Sequence, residues 1–125
     1  MTSARRILQA VRCAATTHPI PMPRSTTKPP TEAQIQAKII KIMENDGWFV
    51  VKLIQTNRNG IPDLVAHKEG KTLYVEVKAI NGRISPLQAH RITELTKAGI
   101  PSFIVRTEIE INDIIANCRS SKKLP

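Results

Sequence analysis

The sequence predicts a small α/β domain with its elements in the order α-β-β-β-α-β-α. Three observations carry that reading. Ile35, Ile39, Ile42 and Met43 recur at helical spacing. Three runs rich in β-branched and aromatic residues follow, "WFVVKLIQT", "IPDLVAH" and "TLYVEVK", each bounded by turn formers. Helical spacing then returns on either side of one more apolar run, "SFIVRT".

Each element has its own local warrant. Thr31 followed by Gln34 is a capping box with Pro30 just outside it, and Gly47 stops the first helix. The first strand ends at the turn "NRNG", and "KEGK" joins the second strand to the third. After "AINGRI", a helix is expected from about Pro86 to Ala98, before Gly99. Ile111, Ile114, Ile115 and Cys118 mark a last short helix. Residues 31–119 would form the domain and 120–125 a short tail. A domain of this size buries limited area, so oligomerisation would help it.

Residues 1–30 read as a separate basic, Pro-rich segment. "HPIPMPRSTTKPP" contains Pro19, Pro21, Pro23, Pro29 and Pro30, a density that blocks helix and sheet alike. "ARRILQAVRCAA" before it can form a short basic helix, and Arg12 interrupts the apolar stretch a secretory signal needs. An organellar transit peptide, a DNA-contacting arm and a plain disordered tail share this composition. The formal net charge is +9, which favours a polyanionic partner. The charge is uneven, for Arg5, Arg6, Arg12, Arg24 and Lys28 meet no acid before Glu32. An aromatic content of 3% argues against a stacking platform for single strands. Cys13 and Cys118 make no disulfide framework, so a reducing intracellular compartment is expected, and no apolar run approaches membrane-spanning length. His18, His67 and His90 lack metal-ligand spacing.

The chemistry gathers on the second and third strands. Alternation puts Glu76 and Lys78 on one face and Val75 and Val77 on the other. If "KEGK" closes a hairpin around Glu69 and Gly70, His67 pairs with Thr72 and Asp63 with Glu76, unless Gly70 sits in a bulge. Two carboxylates with Cβ atoms about 5 Å apart destabilise a sheet. A divalent cation between them removes that penalty, and oxygen-only ligands favour Mg²⁺ or Mn²⁺ over zinc. Lys78, about 7 Å along the strand from Glu76, could hold a nucleophilic water or neutralise charge on a phosphate. Pro62 suits a strand start. Thr72, Tyr74, Glu76 and Lys78 are equally what the wet face of an ordinary hairpin looks like.

Two further positions bear on the choice. Gln88 aligns with Ile92 and Leu95 on the inward stripe of its helix, where an unsatisfied amide costs about 1–3 kcal/mol. It could orient the lysine or a metal-bound water, or be a satisfied core amide. Glu32 aligns with Ile35 and Ile39; it suits the helix dipole, or it is a further carboxylate reaching the metal site.

Together "TEAQI", "NRNGIPDL", "YVEVK" and "GRISPLQ" resemble the VRR-NUC family of the PD-(D/E)XK nuclease superfamily, from Thr31 to about Arg106. "PD" with "ExK" is a weak pattern alone; the preceding glutamate and "SPxQ" in order make it specific. The resemblance implies a restriction-endonuclease-like fold with a central mixed sheet flanked by helices. It implies metal binding by Glu32, Asp63, Glu76 and the Val77 carbonyl, with Asp63, Glu76, Lys78 and Gln88 catalytic. It further implies Mg²⁺- or Mn²⁺-dependent hydrolysis of DNA phosphodiesters by a homodimer, on branched DNA such as four-way junctions. The segment before Thr31 lies outside these motifs. Lys52, Arg58, Lys71, Arg83 and Arg91 are candidates for holding the DNA backbone, though each is also an ordinary surface charge. The rival readings are a non-catalytic DNA-binding module on the same fold, and an interaction domain with no affinity for metal or DNA.

Overall fold

The structure is a computed structural model and describes residues 28–120, so the basic helix expected near the N-terminus and both tail ends lie outside the described residues. Its elements run α1 (Glu32–Asn45), β1 (Phe49–Lys52), β2 (Leu64–Lys68), β3 (Lys71–Val77), α2 (Pro86–Lys97), β4 (Ser102–Val105) and α3 (Glu108–Ser120). The four strands form one mixed sheet in the order β1-β2-β3-β4. The first two pairings are antiparallel, while β3 and β4 are parallel and need the α2 crossover between them.

Helix α1 starts where the sequence places it. Thr31 and Gln34 make the reciprocal capping box, at 2.9 and 3.2 Å. Its apolar stripe, Ile35, Ile39 and Met43, packs with Ile111 and Ile115 of α3 on one face of the sheet. That face contributes Leu64, Ala66, Leu73, Val75, Val77 and Val105, all buried. At the far end of the sheet Asp46 ties three elements together. It accepts from Trp48 Nε1 and Lys68 Nζ, each at 3.2 Å, and pairs with Arg119 of α3. The Arg119 guanidinium, with help from Lys68, holds the Asp46 carboxyl below the usual carboxylate range.

The hairpin turn fixes how β2 and β3 align. Glu69 and Gly70 both have positive φ, 50° and 76°, the mirror-image turn that matches strand twist. His67 therefore pairs with Thr72, as expected from "KEGK", and no bulge shifts the ladder. Strand β1 is shorter than its sequence suggests. Pro62 offers no N–H, and beyond Lys52 only Leu53 N still reaches across, to Asp63 O at 2.8 Å. Residues 53–61 leave the sheet as a loop. Its far end is packed against α2: Gly60 has φ +81°, and a Cβ there would stand 2.7 Å from Leu87 Cγ. Gly60→Ala should cost about 1–3 kcal/mol of stability, from left-handed strain and displacement of Leu87. A thermal melt matching the wild type would show that the loop is not packed this way.

Candidate active site

The hairpin register carries the acids to one place. The ladder begins with the Leu64–Val75 pair, and Asp63 stands one residue before β2, with a carboxylate oxygen within 4.8 Å of one from Glu76. Asp63 Oδ2 accepts from Val77 N at 3.0 Å, so this carboxylate is fastened to the neighbouring strand. Glu76 alternates away from Val75 and Val77 and is nonetheless 1% exposed. Among the described residues it is the one charged side chain in the buried class.

Helix α2 completes its surroundings. Ser85 Oγ accepts from Gln88 N at 3.1 Å, while Gln88 Oε1 accepts from Ser85 N at 3.0 Å. Because the cap takes the amide oxygen, the nitrogen is left to face the sheet, where Gln88 Nε2 donates to Glu76 Oε1 at 2.9 Å. Gln88 thus points inward as its spacing suggests, and its partner is the carboxylate itself. Lys78 Nζ lies 3.5 Å from Glu76 Oε1 and 3.7 Å from Glu32 Oε1, which reaches in from the first turn of α1.

The remaining oxygen of this buried group, Glu76 Oε2, has no hydrogen-bond partner. Leaving such a group unsatisfied is costly. Burial, and then the nearby Asp63 charge, push the Glu76 carboxyl up to about 7 against the pull of Lys78. One oxygen from each of Glu32, Asp63 and Glu76 lies within 4.8 Å of the others. Three hard anionic ligands and an orphaned carboxylate oxygen fit a hard divalent cation, which would satisfy that oxygen and relieve the repulsion between the acids.

The basic candidates are distributed differently. Lys52 at the end of β1, Arg58 on the 53–61 loop and Arg83 on the loop before α2 are exposed. Arg58, Ile54 and Gly60 share with Asp63 an open cleft of about 330 Å³. Arg91 is engaged within the fold. Its Nε donates to Asn59 O at 2.8 Å and its Nη1 to Glu94 at 2.6 Å, which ties the 53–61 loop to α2. Lys71 stands at the opposite end of β3 from the acids, its ammonium 2.8 Å from Cys118 O. Arg106 was not singled out by sequence. Its Nη1 donates to Ala79 O at 2.7 Å and Gly82 O at 2.6 Å, clamping the loop directly after Lys78. A single arginine following a strand carries no signal for such a role.

The mixed sheet flanked by helices is a nuclease-type fold, and beside its central hairpin Asp63, Glu76 and Lys78 meet Glu32 of α1 and Gln88 of α2. The VRR-NUC domain model matches residues 3–108, taking in most of the segment that the motifs left out. The chain belongs to the VRR-NUC domain family, a nuclease-type family whose function is tied to DNA. A solved structure of a VRR_NUC domain is similar at 27% identity, with a TM-score of 0.62, over 70% of this chain and 97% of that one. No curated protein matches the chain. Among the described residues no helix is long and apolar enough to cross a membrane.

Proposed function

We propose that this protein is a divalent-metal-dependent endonuclease that hydrolyses DNA phosphodiesters, with residues 31–119 as the catalytic unit and branched DNA, such as four-way junctions, as preferred substrate. The observation that carries the reading is the buried Glu76 carboxylate, with one oxygen unsatisfied, set beside Asp63, Glu32 and Lys78. An ordinary solvated hairpin face has no reason to bury that charge.

Glu32, Asp63, Glu76 and the Val77 carbonyl would hold Mg²⁺ or Mn²⁺. Bound there, the cation supplies positive charge to the scissile phosphate and acidifies water. The chain's own residues do the rest. Val77 N fixes Asp63, and Gln88 fixes Glu76, so the ligand oxygens are preset before DNA arrives. Lys78, whose ammonium already lies between two carboxylates, places its charge where the phosphate gains negative charge during attack. Lys52, Arg58 and Arg83, exposed and basic, hold the backbone on either side. A homodimer supplies two such sites for symmetric cutting of a four-way junction.

Incubating the protein with a labelled four-way junction and a matching linear duplex tests this directly. Cutting of the junction in Mg²⁺ or Mn²⁺, abolished by chelator, is the expected result. Binding without cutting in either metal would leave a DNA-binding module on a nuclease fold.

A further inference from the structure

The geometry points to Ile54 as an apolar wedge that inserts between bases of DNA beside the scissile phosphate. The proposal rests on the nuclease reading of the acid cluster and names how that site engages its substrate. Ile54 is 88% exposed, more than any other large hydrophobic among the described residues. It follows Leu53, whose N–H donates to Asp63 O at 2.8 Å, so it sits one residue from the backbone step that carries a candidate metal ligand. It lines the same cleft as Asp63 and Arg58. Its neighbours in sequence, Lys52, Gln55 and Arg58, are polar or basic and exposed.

The loop that displays it is fastened to the fold at both ends and braced within. Leu53 N holds one end, Thr56 Oγ1 donates to Arg58 O at 2.6 Å, Arg91 Nε donates to Asn59 O, and Gly60 abuts Leu87. Lone exposed hydrophobics are common on proteins. This one is held on a loop anchored at both ends, beside an open polar cleft and between basic residues. Apolar side chains placed in this way unstack a base step and kink the duplex, which costs least at a branch point or flexible step where stacking is already broken. Ile54 would therefore add preference for distorted DNA that phosphate contacts cannot supply.

The test uses a four-way junction with 2-aminopurine beside the branch point, in chelator so that nothing is cut. Wild-type protein should raise the probe's fluorescence on binding, reporting an unstacked base. Ile54→Ala should bind with the same dependence on salt, lose most of that fluorescence gain, and, once metal is added, cut the junction about tenfold more slowly. Ile54→Leu should retain both. An Ala variant with undiminished fluorescence and cutting, or a wild type that binds without brightening the probe, would overturn the wedge while leaving the nuclease reading standing. A wild type that binds no DNA at all would overturn both.

Discussion

Glu76→Gln should yield a protein that cuts no DNA and, without metal, is more stable than the wild type at pH 8. On the proposed function, loss of cleavage follows from removing the central carboxylate of the acid cluster, where a bound divalent cation would contribute several kcal/mol, on the order of a thousandfold or more in rate. The gain in stability comes from the burial of that carboxylate. Its folded-state value is pushed from 4.5 to about 7 by burial and by Asp63. A group whose value is raised on folding contributes its full stability while protonated in both states, below about 4.5 here. That stability is lost as pH rises through about 7, because the unfolded chain ionises freely and the folded chain must bury the charge. The loss is roughly 3 kcal/mol by pH 8 in metal-free protein. Glutamine does not titrate and keeps an oxygen for Gln88 to donate to. Urea unfolding in chelator should show the two proteins close together at pH 5 and the variant ahead by pH 8. Adding Mg²⁺ should stabilise the wild type alone. A variant less stable than the wild type at pH 8 would mean that the fold tolerates the buried charge without metal.

Lys78→Met should separate metal binding from catalysis. The substitution preserves most of the buried stem, since the lysine side chain is 13% exposed, and removes the ammonium set between Glu76 and Glu32. Losing a positive charge aimed at the transition state costs about 10²–10³ in rate. The same ammonium competes with a cation for the carboxylates, so the variant should bind Mn²⁺ at least as tightly as the wild type. Calorimetry with Mn²⁺ alone, together with single-turnover cleavage, reads the two effects apart. A large loss of Mn²⁺ affinity would mean that Lys78 organises the ligands rather than the phosphate.

Sequence disclosed the residues that gather in the acid cluster more fully than the contacts that frame them. The turn "KEGK", with Gly70 accepting positive φ, fixes the pairing of His67 with Thr72, and along the same hairpin the Asp63 and Glu76 carboxylates come within 4.8 Å. That is local chemistry, visible in the chain. Gln88 is visible as a polar residue on an inward stripe, though the identity of its partner depends on how Ser85 occupies its oxygen. Strand β1 stops at Lys52 rather than running on, because the partner strand begins only after a proline. The clamp of Arg106 on Ala79 and Gly82, and the fit of Gly60 against Leu87, come from segments distant in sequence. Neither has a local pattern to betray it. Lys71 shows the converse, a basic residue close to the motif in sequence that the hairpin carries to the far end of the sheet.

The Glu69–Gly70 turn acts as the ruler of the acid cluster although it shares no atoms with it. Six residue steps along β3 carry the chain from Gly70 to Glu76, about 20 Å of extended chain. One residue added at the tip and not taken up in a bulge would slide the two strands out of phase and send Asp63 and Glu76 to opposite sides of the sheet. The tip is therefore constrained in length, and at Glu69 a φ of 50° also favours residues that enter the left-handed region readily. A site that looks confined to one end of the sheet is thus measured out from the other.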